Sequence, residues 1–395
     1  MLPFSVGAMA ARRLMLRAPM ALDAITLSHF RNHRETRLDG ARQFNLLVGE
    51  NGAGKTNVLE AISLFAPGRG LRRSALGEMA GHRSSVSGPT TDASPGGFGV
   101  GASLAGQADE EPLRLGTYTK AAQPGRRLVQ INGAQASAIS LGEWLAIGWL
   151  TPAMDRLFAD SAGTRRRFMD RMALALNPAH ARHATRYENA LRERNRLLSD
   201  DRPPEAAWLD GIEAQMAQHG AELAQGRARL VGSLGQEIAG FPAQPFARPA
   251  MVYAAAGPIE QDALAAALKA GRGRDRVAGR SLTGPHRDEL EVVMSGKNAP
   301  AAACSTGEQK AMLIAITLAH SELTARALDT GKRPSLLLLD EVAAHLDPIR
   351  RASLFSRLRD SGAQVWLTGT ELAPFEDIRA EAAVWQVADG RVERI

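Results

Sequence analysis

Three short segments carry residue types that could do chemistry. The run Gly49-Glu50-Asn51-Gly52-Ala53-Gly54-Lys55-Thr56, followed by Asn57, fits G-x-x-x-x-G-K-[ST]. In such a loop, glycines let successive backbone N–H groups close around phosphates without Cβ clashes. Lys55 can reach the β- and γ-phosphates, and the Thr56 hydroxyl can ligate Mg²⁺. The second segment is Leu336-Leu337-Leu338-Leu339-Asp340-Glu341. An apolar strand ending in carboxylates puts Asp340 at the sheet edge, where it can hold Mg²⁺ through water, and Glu341 where it can polarise an attacking water. Alone, the same letters read better as a core strand with an acidic helix cap; beside a phosphate loop they select nucleotide chemistry. The third is Ser305-Thr306-Gly307-Glu308-Gln309, opening a helical stretch from Lys310. A hydroxyl and a glycine at a helix N-terminus can bind an anion, and a plain capping box fits as well.

These segments need elements to position them. Ala24–Phe30 alternates weakly and Phe44–Val48 is a short apolar run, both read as strands, and Val58, Leu59, Ile62 and Phe65 recur at helical spacing after the loop. Residues 81–112 are rich in Gly, Ser, Pro and Thr and read as loop, enclosing a strand at Phe98–Leu104. Leu113–Thr119 and Arg126–Ile131 continue as short strands, so an antiparallel sheet is expected after the first helix. From Ser161 to Leu198 the pattern turns helical and basic, Asp200–Pro204 breaks it, and a second helical stretch runs from about Glu205 to Ile238. That predicts an antiparallel hairpin with arms of roughly 35–40 residues, or ~55 Å. Ile259–Ala270 reads as helix, and Gly271–Gly284 is polar and glycine-rich. Leu290–Met294, Ser335–Leu339 and Val365–Leu367 read as strands, and Lys310–Leu328 as a helix. Apolar runs of this kind suit strands buried on both faces, so the expected class is α/β.

Composition sets bounds. Of 395 residues, 48 are cationic against 42 acidic; six of the cations are lysines, leaving 42 arginines and a net charge of +6. Arginine binds phosphate in a bidentate way, so the balance is compatible with a polyanionic partner without identifying one. Hydrophobic content of 45% excludes wholesale disorder. Cys304 is the one cysteine, which excludes an intrachain disulfide and a cysteine zinc cluster and points to a reducing cytoplasm. No run of ~18 apolar residues exists, so no membrane span is expected. Residues 1–21 hold Arg12, Arg13 and Arg17 and, through Ala21, no acid. With Met1–Ala11 ahead of the cations, a secretory signal is disfavoured; a transit peptide, a disordered tail or an upstream start codon fits such a leader.

A phosphate loop, a helix-opening S-x-G-E-Q, and a D-E strand continuing into Ala344-His345-Leu346-Asp347 resemble the nucleotide-binding heads of the ABC ATPase superfamily. Ser305–Gln309 is the counterpart of its signature motif and Leu346-Asp347 resembles its D-loop. Lys55 and Ser305 lie 250 residues apart, too far for a transporter head and too close for the long-armed chromosome-maintenance branch. The branch most resembled is the RecF recombination-mediator family, through His29-Phe30-Arg31-Asn32, Gly49–Asn57, Leu71-Arg72-Arg73-Ser74, Arg165–Phe168 with Asp170, Arg194–Leu198, Ser281–Asp288 and Ser305–Lys310. Ser281-Leu282-Thr283-Gly284-Pro285-His286-Arg287-Asp288 is the most telling, because other ABC-type heads lack it. Two departures stand out. Trp149–Met154 offers no glutamine where a Q-loop is expected, and Thr368-Gly369-Thr370 stands where a histidine would follow a strand.

The resemblance implies a P-loop ABC-type ATPase head with an inserted β-sheet and a helical-hairpin lobe. It divides as a leader (1–21), an N-terminal half (22–160), a helical lobe (161–280) and a C-terminal half (281–395). It implies ATP and Mg²⁺ as cofactors, bound in cis by Gly49–Asn57, Lys55, Thr56, Asp340 and the catalytic Glu341. Ser305, Gly307, Glu308 and Asp347 would act in trans within an ATP-dependent homodimer. It implies slow, DNA-regulated hydrolysis, single-stranded and duplex DNA as partners, and RecO- and RecR-type mediator proteins. Arg31 fits either a nucleotide contact or a surface pair. Arg165, Arg166, Arg167, Arg194 and Arg196 fit either a DNA groove or a solvated helix face with i,i+4 pairs such as Glu188–Arg192.

Overall fold

The computed structural model describes residues 21–81, 97–105, 111–200, 202, 204–242, 244–327 and 333–395. Residues 1–20 of the expected leader lie outside them, as do 82–96 and 106–110 of the Gly/Ser-rich stretch and residues 201 and 203 of the Asp200–Pro204 break. Ala21, the last residue of that leader, opens the first strand. The chain begins with β1 (Ala21–Phe30), β2 (His33–Asp39) and β3 (Phe44–Val48), then α1 (Lys55–Ser63) and the short α2 (Leu76–Met79). β4 (Gly99–Ala105), β5 (Leu113–Lys120), β6 (Gln123–Ile131), β7 (Ala134–Ala136) and β8 (Ala146–Leu150) follow. Next come α3 (Ala162–Leu176), α4 (Ala179–Leu198), α5 (Ala206–Ala239), β9 (Pro249–Ala254) and α6 (Gln261–Val277). The last part holds β10 (Glu289–Met294), β11 (Ala299–Pro300), α7 (Thr306–Ala327), β12 (Ser335–Leu339), α8 (Pro348–Asp360), β13 (Gln364–Gly369), α9 (Glu376–Arg379), β14 (Ala382–Ala388) and β15 (Arg391–Arg394).

The described residues form three sheets: an antiparallel β2-β1-β4-β5-β6-β7, a small β11-β10-β9, and the central β15-β14-β3-β13-β12-β8. The central sheet is parallel except for β15. Its strands are apolar on both faces because both are covered. Leu46, Val48, Leu337, Leu339, Val365 and Leu367 point into one core with α3, α5, α7 and α8. Leu47, Leu336, Leu338, Trp366 and Trp385 point into the other, with α1 and the antiparallel sheet. Trp366 and Trp385 stack there at 5.4 Å. The Gln364 amide ties the two sheets, accepting from Leu22 N (3.1 Å) and donating to Leu22 O (2.8 Å).

The helical region departs from the expectation in two places. The stretch from Ser161 breaks at Asn177-Pro178, where Asn177 is extended (φ −130, ψ 104) as a residue before proline prefers. Conversely, α6 runs through the polar, glycine-bearing segment to Val277. Arg272 bridges Asp210 and Glu213 on α5, and this anchoring offsets the ~1 kcal/mol that a helical glycine costs. α4 and α5 pack antiparallel, with Arg194 against Glu213 and His183 against His219.

Two buried guanidinium groups knit this region. Arg194 is fully buried and donates to Glu213 (2.9 Å), Asp275 (2.6 Å), Ser281 Oγ (2.8 Å) and Leu268 O (3.0 Å). It is therefore removed from the DNA-contact candidates, since a guanidinium inside the fold with its donors engaged cannot meet phosphate. Arg227 makes a bidentate pair with Asp170 (2.8 Å each) and also reaches Asp288 (3.0 Å) and Pro285 O (2.6 Å). Burial opposes ionisation of Asp170, but Arg227 and His180 override it and hold that carboxyl at about 2. The segment Ser281–Asp288 is the seat of both networks. His286 Nε2 donates to Ser281 O (3.0 Å), so its Nδ1 accepts from the Tyr187 hydroxyl (2.8 Å).

Removing one partner of a buried ion pair leaves the other charge stranded. Arg194→Ala should therefore lose about 3–5 kcal/mol by urea denaturation. Arg196→Ala, an exposed pair with Glu193, should stay within about 0.5 kcal/mol. Equal midpoints for the two variants would contradict the assignment.

Candidate nucleotide site

The phosphate loop follows β3 and opens α1. Gly49 is packed so closely that a Cβ there would lie 2.0 Å from the carbonyl oxygen of Val387 on β14. Gly54 has φ +118, and a Cβ would meet the Asn32 amide at 2.8 Å. The glycines are thus dictated by neighbouring chain as much as by phosphate. Lys55 is buried, its Nζ donating to the carbonyls of Gly49 (2.6 Å) and Glu50 (2.8 Å). Burial lowers its pKa from the ordinary lysine value, against the pull of Glu341 and Asp340.

The register of the central sheet carries the second half of the site here. β3 pairs with β13, which pairs with β12, so Val48 and Leu339 end at the same edge of the sheet. Thr56 Oγ1 donates to Asp340 (2.9 Å to Oδ1, 3.1 Å to Oδ2), and Thr368 Oγ1 donates to Asp340 Oδ1 (2.8 Å). Thr368 Oγ1 also accepts from Glu341 N (2.9 Å). Burial holds the Asp340 carboxyl above the usual aspartate range, opposed by both threonine hydroxyls and reinforced by Glu341. Glu341 adopts φ +55, a left-handed backbone that a non-glycine residue takes at a cost of about 1–3 kcal/mol. The neighbouring Thr368 bond fixes that backbone.

The Thr56 hydroxyl and the Asp340 carboxylate are hard oxygen donors at one point, which suits Mg²⁺ held largely by phosphates and water. Among the described residues no group of three or more His, Cys, Asp or Glu could chelate a metal on its own.

Arg31 sits at the tip of the β1–β2 hairpin. It makes a bidentate pair with the buried Glu60 (2.9 and 2.8 Å), and Arg72 reaches the same carboxylate (3.1 Å) and Asn57 (2.6 Å). Asn32 donates to Ala53 O (2.9 Å), and His33 Nε2 donates to Gly54 O (3.1 Å). Glu60, Arg72, Asn32, His33 and Thr368 were not singled out for the site from sequence. An acid inside the apolar stretch Val58–Ile62 was the signal available for Glu60, since a buried carboxylate demands a cation.

Ser305, Thr306 and Gly307 are exposed at the start of α7. Glu308 accepts from Ser305 N (3.0 Å) and Oγ (3.0 Å), and Ser305 Oγ accepts from Glu308 N (3.3 Å), a reciprocal capping box. Lys297 and these Ser305 bonds hold the Glu308 carboxyl down at about 2. No hydrogen bond among the described residues joins this turn to Gly49–Asn57, Asp340 or Glu341. Asp347 caps α8, accepting from Arg350 N (2.9 Å). Arg165 pairs with Glu289 (2.6 and 2.7 Å) and Arg166 donates to Asp288 O (2.7 Å). Arg167 and Arg196 are exposed.

The fold and its paired motifs define a P-loop head of the kind shared by SMC proteins. A family profile described as RecF/RecN/SMC N terminal domain matches residues 21–393. The DNA replication and repair protein RecF of Mesorhizobium japonicum is 43% identical over 384 residues, covering 94% of this chain and 97% of its own. That of Brucella suis biovar 1 is 42% identical over 391 residues, covering 95% and 97%. Among solved structures, the recombination mediator protein RecF-ATP in the RecFOR pathway superposes with TM-score 0.81 at 22% identity, covering 97% of this chain and 99% of that one. The Smc head domain with an extended coiled coil from Pyrococcus furiosus gives 0.54 at 17%, covering 95% and 96%. The chain belongs to the RecF family of DNA replication and repair proteins. No helix among the described residues is long and apolar enough to cross a membrane.

Because the fold raises the pKa of Asp340, its ionised form is penalised at neutral pH and the penalty vanishes as pH falls through the folded value. Without nucleotide or Mg²⁺, Asp340→Asn should therefore be at least as stable as wild type at pH 7.5. That advantage should shrink to nothing as pH falls towards the aspartate range, read by urea denaturation across pH. An advantage that grows on acidification would reverse the sign and sink the reading.

Proposed function

We propose that this chain is an ATP-dependent, DNA-binding recombination mediator acting in DNA repair and at replication gaps, with its nucleotide sandwiched between two copies of the chain. The observation that carries this is the division of the motifs. Gly49–Thr56, Asp340 and Glu341 converge within one chain, whereas the capped turn Ser305–Gly307 is exposed and unconnected to them. An anion-binding helix start that is exposed in this way is available to nucleotide held by a second molecule.

In that site the loop N–H groups and Lys55 hold the phosphates. Mg²⁺, when bound at Thr56 and Asp340, supplies charge neutralisation on the phosphate oxygens. Glu341, fixed by Thr368, orients and deprotonates the attacking water. Ser305 and Gly307 of the second copy, with Asp347 at the seam, favour the closed dimer, so nucleotide acts as a population shift between free and paired heads. Thr368 in place of a histidine leaves one fewer group to assist proton transfer, which fits slow turnover. DNA is the proposed ligand of the dimer, with Arg196 as an accessible candidate for phosphate contact, and RecO- and RecR-type proteins as partners.

Light scattering should show dimers with ATP that Lys55→Met and Ser305→Arg each abolish; a wild-type chain that stays monomeric at micromolar concentration with ATP overturns the composite site. With DNA present, Glu341→Gln should slow hydrolysis by about 10²-fold or more while prolonging the dimer. If both proteins hydrolyse equally and near background, the chain is an ATP-held DNA clamp without significant turnover.

A further inference from the structure

A second concavity lies away from the phosphate loop. It is a groove of ≈ 470 Å³ between the loop Pro67–Arg73, the turn after β8 at Thr151–Met154, and the facing sides of α3 and α4. Its accessible apolar floor is aliphatic, from the half-buried Leu71 and Leu174, laid over the buried Trp149, Leu157 and Phe168. Four arginines line it: Arg69, Arg73, Arg167 and Arg171.

None of those arginines makes an ion pair among the described residues, although Glu188 lies close enough to Arg73 to favour its charge. Among the described residues no carboxylate accepts a hydrogen bond from any of them; Arg167 reaches only Thr164 Oγ1 (2.9 Å), and Arg171 reaches Trp149 O (3.3 Å) and Met154 Sδ (3.6 Å). Arg171 lies over the Trp149 ring at 4.4 Å, and burial pulls its pKa down to about 9. Arg73 is exposed; partial desolvation and the neighbouring Arg167 and Arg69 lower its pKa, against the pull of Glu188, and its backbone is left-handed at φ +58. Two acids border the groove. Asp170 is saturated by Arg227 and His180, and Glu188 is exposed. Three exposed cations gathered around an apolar floor, with a fourth stacked on that floor, are complementary to a ligand that is both anionic and apolar.

The walls are held in place. Arg72 ties one to Asn57 and Glu60, and the other continues from β8, whose Leu150 O accepts from Asp340 N (2.9 Å). The groove is therefore formed before anything enters it. Single-stranded nucleic acid needs exposed ring faces for its bases. Here the Trp149 face is covered by Arg171, and Phe168 is buried. Side chains of a peptide need only an apolar slot and nearby cations.

We propose that this groove docks an acidic segment of a partner protein, with one large apolar side chain in the floor and neighbouring carboxylates on Arg69, Arg73 and Arg167. The docking does not depend on hydrolysis and so stands or falls apart from the ATPase reading.

The probe is a fluorescein-labelled synthetic peptide of aspartate and glutamate around a single phenylalanine, titrated with the full chain and followed by anisotropy. Controls are the same peptide with lysine for each acid and a labelled thymidine oligonucleotide. Wild type should bind the acidic peptide saturably and leave the lysine version unbound. Arg69→Glu combined with Arg73→Glu should weaken it by about tenfold or more, with an unchanged urea midpoint. Replacing the phenylalanine by alanine should weaken it further. Absence of saturable binding, or a double variant that binds within about twofold of wild type, overturns the proposal. So does an oligonucleotide that displaces the peptide and loses affinity by the same factor in the variant, because the groove would then belong to nucleic acid. Should the double variant unfold, Arg73→Gln alone gives the same reading at smaller amplitude.

Discussion

One buried carboxylate organises the candidate nucleotide site. Asp340 ends an interior strand, and its two oxygens are met by hydroxyls from opposite ends of the chain, Thr56 just after the phosphate loop and Thr368 on β13. Desolvating that group is costly unless donors surround it, so both threonines are required by the carboxylate's position before any ligand is considered. The same Thr368 oxygen then fixes the backbone of Glu341 in its left-handed conformation. Sheet order, loop position and the aim of the second acid are thus consequences of satisfying one charge.

The arginine-rich composition finds a different use from the one its net charge suggests. Arg194 and Arg227 lie inside and join helices α3, α4, α5 and α6 to the Ser281–Asp288 segment. Arg31 and Arg72 share Glu60 under the phosphate loop. The planar, five-donor guanidinium can serve several acceptors at once where an ammonium could not, which suits it to such junctions. The helical segment is accordingly not set apart from the rest: Phe168, Met172, Leu230 and Leu234 share a core with β3, β12 and α7.

Much of this was legible beforehand, and for identifiable reasons. Phe44–Val48 and Ser335–Leu339 are short, wholly apolar and flanked by motif residues, so their bounds follow from composition alone. β8, β9 and β14 were not anticipated, because their partners lie farther away along the chain: β14 pairs with β3 across more than 300 residues. β2 and β15 sit in local hairpins with β1 and β14, but their charged sequences, His33–Asp39 and Arg391–Arg394, hide any strand pattern. The α3–α4 break was signalled by Pro178 yet masked by the continuous basic helical pattern around it. Arg194 was misread because a long run of arginines looks like a solvated face, and nothing local reveals that Glu213, Asp275 and Ser281 converge on one of them. Charge counts what a chain carries; only packing says which charges meet solvent.

The place of β3 has a consequence for how the molecule is made. It is an early strand, yet its two neighbours, β13 and β14, are among the last to be translated, and Gly49 rests against Val387. At ~5–20 residues per second, roughly 17–70 seconds separate the emergence of Val48 from that of Ala388. During that interval the nascent chain holds an apolar strand without its ladder and a phosphate loop without its backing. A chain that stops short of β14 has every residue of the loop but lacks the strand that backs Gly49.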